Sequence, residues 1–252
     1  MGRPELIVHQ DAGLLAKAAA ARLVTALVDA QASRGEASLV LTGGGIGIAL
    51  LRAVRACPAL EAVDWSKVDF WWGDERFCPA DSHDRNALQA REALLCHVPV
   101  DEKRVFEMGY LATIGIHDGY GEPEPAAADY AARLAARAPA GRQVPEFDVL
   151  LLGIGPEGHV ASIFPHSPAA ASSEAVVSVR DSPKPPPCRI SFTFPTIQAA
   201  RQVWVIAAGE EKADAVAGAF AGAGPLDLPA AAARGQDRTL WLVDRAAASR
   251  VG

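Results

Sequence analysis

Residues 150–168 read LLLGIGPEGHVASIFPHSP. An apolar run stops at a glycine turn, and His159 stands just beyond it. The run shows no polar alternation, which suits a strand buried on both faces of a parallel sheet. The turn spells Gly153-x-Gly155-x-x-Gly158, the letters of a dinucleotide fingerprint. That fingerprint needs a helix directly after its glycines, with the helix N-terminus on the pyrophosphate. Pro165 and Pro168 disfavour a continuous helix here, and Glu157 would set a carboxylate beside the phosphates. Asp181 lies at a distance compatible with a ribose ligand, so chemistry rather than spacing argues against a nucleotide. A lone histidine is more often a core residue. One directly after a strand-end turn faces the crevice, where it can exchange protons near neutral pH.

Outward from this stretch, β-rich apolar runs recur at 6–9, 38–42, 68–72, 147–152, 176–179, 189–192, 203–207 and 239–243. Between them lie helical patterns at 13–32 with Asp11 as N-cap, at 46–56, at 86–97 with Asn86 as cap, at 125–138 and at 210–221. Strands alternating with helices predict an α/β layered domain with a mainly parallel sheet. The stretch DSPKPPPCR, residues 181–189, reads as a stiff extended surface loop rather than a domain boundary. A single domain over 1–252 is expected.

Composition narrows the function classes. Half the residues are hydrophobic and the net charge is −6, a globular balance without the concentrated basic surface that nucleic acid requires. Cys57, Cys78, Cys96 and Cys188 are scattered, with no metal-finger spacing, and read as reduced thiols. The N-terminus lacks a signal-peptide apolar core, and no stretch is long and charge-free enough to span a bilayer. A cytoplasmic protein without membrane partners is expected.

Two further strand ends carry chemistry. In LVLTGGGIGIALL, residues 39–51, a strand runs into three glycines before a helix near Ile46. Such a turn is either a tight connection or an anion seat built from backbone amides. In FWWGDERFCPADSHDRN, residues 70–86, Asp74, Glu75 and Arg76 follow a buried run without a break. They read as a solvated loop, or as a site in which Arg76 grips a phosphate. The carboxylates and His83 lack fixed ligand spacing, so no metal is expected. Ser162 is close to His159, but the chain has no G-x-S-x-G elbow. Arg189 opens one strand run and Lys212 the helix after another. Each alone would be an ordinary surface charge.

Taken in order, LTGGG, WGDERF with Pro79, Asp81, Arg85 and Asn86, LLGIGPEGHVASIFPHSPA, RISFTFPTI and GEEKADAV resemble the 6-phosphogluconolactonases. These belong to a wider group with the glucosamine-6-phosphate deaminases. The motifs run from residue 41 to about 216; each is weak alone and the five together are specific. The resemblance implies a single domain with a modified Rossmann-like fold, working in the cytoplasm in the oxidative pentose phosphate pathway without metal or nucleotide. It implies a sugar-phosphate lactone as substrate and His159 as general base, supported by Glu157. Thr42, the Gly44 and Gly45 amides, Arg76, Arg189 and Lys212 are the expected phosphate contacts. Asp74 is expected to position Arg76 or a sugar hydroxyl. Two departures stand out. Glu157 replaces the family's usual Asp, and Gly45-Ile46-Gly47 replaces Ser-Thr-Pro, which removes a hydroxyl donor. VASIFP after His159 has the lactonase form, where deaminases carry an Ala-Phe-Asn-Glu-Pro type of sequence. The same-fold deaminase, a non-catalytic sugar-phosphate sensor and an NAD-dependent oxidoreductase are the rival readings.

Overall fold

Alternate residues of the buried runs face two different apolar layers. Val40, Leu150, Leu152, Val203, Val205, Trp241 and Val243 enter one, while Leu39, Leu41, Val149, Leu151, Trp204, Ile206, Leu240 and Leu242 enter the other. A strand covered on both faces has no solvent side to mark with polar residues, which accounts for the unbroken apolar runs. The computed structural model describes residues 4–113 and 118–252. The elements in chain order are β1 (Glu5–His9), α1 (Ala12–Arg34), β2 (Ala37–Leu41), α2 (Gly44–Arg55), β3 (Val68–Trp72), β4 (Asp74–Arg76), α3 (Asn86–Ala93) and α4 (Pro123–Arg137). There follow β5 (Val149–Gly153), β6 (Val176–Val179), β7 (Arg189–Phe192), α5 (Phe194–Gln198), β8 (Gln202–Ala207), α6 (Ala213–Phe220) and β9 (Arg238–Asp244).

All eight expected runs are strands. Six form a parallel sheet in the order β1-β9-β8-β5-β2-β3. The other two, β6 and β7, join β4 in a smaller antiparallel sheet of order β4-β7-β6. β6 and β7 pair with each other, so the proline-rich stretch between them is a hairpin loop within one domain. β4 is a strand where a solvated loop was one of the two expectations.

The helices obey local rules, with some shifts from expectation. Asp11 Oδ1 accepts the Leu14 N–H at 2.8 Å and caps α1. Gly35 ends the helix with φ 81° and donates to Gln31. α4 begins two residues early, with Pro123 in its first turn, where a missing N–H costs nothing. A short 3₁₀ turn, Glu210–Lys212, precedes α6. Asn86 is not the cap of α3, because the Glu75 carboxylate accepts its N–H and that of Ala87 instead.

Trp71, Trp72, Trp204 and Trp241 are all fully buried. Trp71 stacks on Phe106 with ring centroids 4.0 Å apart. Cutting one of these rings to Ala would cost ~3–5 kcal/mol. No helix among the described residues is long and apolar enough to cross a membrane.

The sheet order sets the place for a ligand. From β2 the chain crosses to β3 on one side, while β5 continues toward β8 on the other. The carboxyl ends of β2 and β5 therefore flank a topological switch point, where open α/β sheets leave a crevice.

Candidate active site

A cleft of about 210 Å³ opens at that switch point. Thr42 and Gly44 reach it from the β2–α2 turn, Asp74 and Arg76 from β4, and Asn86 from α3. Gly153, Gly155, His159 and Ala161 line it from the turn after β5, Lys184 and Arg189 from the β6–β7 hairpin, and Lys212 from the turn after β8. The cleft thus gathers seven of the expected residues. Gly45 lies instead on a neighbouring cavity of about 490 Å³ that also touches Gly44 and Lys212. Glu157 sits behind His159 rather than on the wall.

His159 is 19 % exposed, with its ring 4.5 Å from that of Phe164. Its Nδ1 lies 3.0 Å from Glu157 Oε1, and Glu157 Oε2 accepts from Lys184 Nζ at 3.1 Å. Burial pushes the Glu157 carboxyl up, but its own backbone N–H, His159 and Lys184 outweigh this and hold it below the usual glutamate range. An ionised carboxylate only accepts, so Nδ1 carries the proton and Nε2 keeps its lone pair. Burial also pushes the His159 imidazolium down, helped by Lys184 and opposed by Glu157 and Asp74. The net effect favours the neutral imidazole, with Nε2 as its basic nitrogen.

The glycine turn is shaped for this pair. A Cβ on Gly155 would stand 2.0 Å from His159 Nδ1 and 2.6 Å from Glu157 Oε2. Gly158 has φ 87°, a left-handed conformation that side chains disfavour, and a Cβ there would meet Leu228 at 2.6 Å. The glycines therefore make room for an imidazole and its carboxylate.

Strand alternation sorts the Asp-Glu-Arg triplet. Asp74 and Arg76 point toward the cleft, while Glu75 points the other way and is fully buried. Glu75 accepts the N–H groups of Arg76, Asn86 and Ala87, with the Arg85 guanidinium 3.8 Å away. Burial pushes the Glu75 carboxyl up, and Arg85 and the three N–H donors oppose it without fully offsetting it. This anchor fixes the start of α3 against β4. Asn86 then donates to the Asp74 carbonyl at 2.9 Å and accepts from Arg76 Nη1 at 2.6 Å. Arg76 Nη1 also donates to the Asp84 carbonyl. Among the described residues these bonds leave both Nη2 and the buried Nε of Arg76 without a partner.

Asp74 is expected to position Arg76 or a sugar hydroxyl. Its carboxylate, on the cleft wall, accepts from Ser162 Oγ at 2.7 Å, while Asn86 rather than Asp74 holds the Arg76 guanidinium. Ser162 is buried, and its hydroxyl is committed to Asp74. No group of three or more His, Cys, Asp or Glu among the described residues could hold a metal ion.

Arg189 is buried beside the cleft, but three of its bonds go to its own hairpin. Nε donates to the Pro186 carbonyl at 2.6 Å, and Nη2 to those of Lys184 and Pro185 at 3.0 and 3.1 Å. Lys212 is 3.9 Å from Glu211, and burial pushes its ammonium down. Thr42 Oγ1 accepts from the Gly153 N–H at 3.3 Å, so its own proton is directed elsewhere. Gly44 and Gly45 form the first turn of α2, which starts two residues before the expected Ile46. Sequence reasoning missed Asn86 and Lys184 as cleft residues. In the sequence Asn86 reads as a helix cap, and Lys184 is hidden in a run of prolines that looks like a spacer.

The sequence and the fold have known counterparts. The family model for glucosamine-6-phosphate isomerases/6-phosphogluconolactonase matches residues 10–241. A 6-phosphogluconolactonase of Streptomyces coelicolor is 56% identical over 253 residues, covering 98% of this chain and 95% of that one. One from Mycobacterium tuberculosis is 51% identical, covering 97% of each chain. The solved 6-phosphogluconolactonase from Trypanosoma brucei superposes over the full length of both chains with TM-score 0.85 and 29% identity. A monomeric glucosamine-6-phosphate deaminase shares the fold at TM-score 0.79 and 20% identity, covering 98% of this chain and 99% of the other. This chain belongs to the glucosamine-6-phosphate isomerase/6-phosphogluconolactonase family.

Proposed function

We propose that this chain hydrolyses 6-phospho-D-glucono-1,5-lactone to 6-phosphogluconate in the oxidative pentose phosphate pathway, with His159 as general base. The observation that carries the reading is the His159 imidazole, with Nδ1 3.0 Å from the Glu157 carboxylate, in a cleft whose walls hold four cations and one carboxylate. Relatives of that activity at 56% and 51% identity over nearly the whole chain support it.

In this reading His159 Nε2 takes a proton from water as the water oxygen attacks C1. The C1 carbonyl oxygen becomes the oxyanion of a tetrahedral intermediate. Collapse re-forms the carbonyl and breaks the bond from C1 to the ring oxygen, which receives the proton from the imidazolium. Such assistance is worth ~10²–10⁴ in rate. Glu157 stabilises the transient imidazolium and keeps the proton on Nδ1. Arg76, Lys212, the Thr42 hydroxyl and the first-turn amides of α2 bind the phosphate, and that remote binding holds C1 against His159.

The test is a coupled assay with freshly made phosphorylated lactone, corrected for spontaneous hydrolysis, with glucosamine 6-phosphate as control. Lactone turnover without deamination is expected. Deamination without lactone turnover would overturn the assignment.

A further inference from the structure

The β6–β7 loop is more constrained than a spacer needs to be. Ser182 donates its N–H to the Pro187 carbonyl at 3.1 Å and its hydroxyl to the Lys184 carbonyl at 3.0 Å, and accepts the Lys184 N–H at 3.3 Å. From below, the buried Arg189 guanidinium holds the carbonyls of Lys184, Pro185 and Pro186. A buried arginine directed at three consecutive carbonyls fixes the tip of one loop. What that tip presents is the Lys184 ammonium, 3.1 Å from the carboxylate that holds His159.

We propose that this loop is a preformed arm and Lys184 a positioning residue, whose cation balances Glu157 so that His159 remains an unprotonated base. The proposal rests on the reading of His159 given above. Glu157 offers one oxygen to each partner. Without the ammonium, the whole carboxylate charge would act on the imidazole and favour its protonated form, which cannot accept a proton from water. The other charged groups around the ring are Asp74 from β4, which favours the imidazolium, and Arg76, Arg189 and Lys212 across the cleft. Lys184 is the cation closest to the carboxylate itself, and its influence on the imidazole opposes that of Glu157 and Asp74. Arg189 therefore serves the site through the arm.

The test reads His159 in the free protein by NMR titration of its imidazole, assigned from the signal missing in His159→Gln. Lys184→Met should raise the midpoint by about 0.5–1 pH unit, discounted for partial exposure. The acid limb of kcat/KM should move up with it. Lys184→Arg, which keeps the charge, should restore both. Arg189→Gln, with its fold checked by circular dichroism, should reproduce the upward shift. A midpoint unchanged in Lys184→Met, or a wild-type midpoint in Arg189→Gln, would overturn the arm. Because the titration needs no substrate, it stands apart from the activity assay. Absent lactone turnover would defeat the proposed function, not the charge balance.

Discussion

Glu157 Oε1 and His159 Nδ1 lie 3.0 Å apart across a turn that only glycine at 155 leaves open. The two residues are two positions apart in sequence, so one tight loop supplies both the base and the group that orients it. The Glu157 side chain touches His159 with one oxygen and Lys184 with the other.

The pH dependence follows from this pair. Burial lowers the imidazole's proton affinity first, with Lys184 adding to it and Glu157 and Asp74 opposing. The folded value lies below the ordinary imidazole value, so the neutral base persists as pH falls through the ordinary range. kcat/KM should therefore hold steady there and decline only at lower pH. Glu157→Gln removes a charge that favours the imidazolium, so the acid limb should move further down while kcat falls. A limb that moves up in Glu157→Gln would contradict the assigned coupling.

Gly155→Ala should act on geometry alone. Its Cβ would need the space held by His159 Nδ1 and Glu157 Oε2. Displacing the base by about 1 Å costs ~10² in rate. Far-UV circular dichroism should be unchanged, and kcat should fall while KM, set by the phosphate end, changes little. Wild-type kcat would mean that the imidazole is not where catalysis needs it.

How much of this was legible beforehand depended on whether a local pattern was unambiguous. The runs at 38–42 and 147–152 are apolar on both faces, and only a doubly covered strand buries them. His159 was legible because it follows a strand-end turn. β4 was ambiguous because three consecutive charges look like solvent. In the fold, alternation sends Asp74 and Arg76 to the cleft and Glu75 to the start of α3. That cap is a tertiary contact across 11 residues, and no local pattern encodes it. Lys184 was hidden for the same reason. Its partner Glu157 is 27 residues away, and four prolines nearby suggested stiffness rather than delivery.

Arg76 and Lys212 reach the cleft from different sheets. Arg76 comes from the antiparallel β4 and Lys212 from the turn after parallel β8. If both grip the phosphate, Arg76→Ala should lose a charge-assisted contact of ~1.5–3 kcal/mol, roughly 10–150-fold. Lys212→Ala, losing a point charge, should lose somewhat less. The loss should fall on the phosphorylated lactone and spare plain gluconolactone. The ratio of kcat/KM for the two lactones checks this, and a ratio unchanged in both variants would place the phosphate elsewhere.

The most direct measurement is kcat of His159→Ala with the phosphorylated lactone, after subtraction of spontaneous hydrolysis. The Gly44 amide, Arg76 and Lys212 remain in that variant, so binding should persist while the base is gone. A fall of ~10²–10⁴ in kcat with a modest change in KM is the expected result. A kcat near that of the wild type would contradict His159 as the general base.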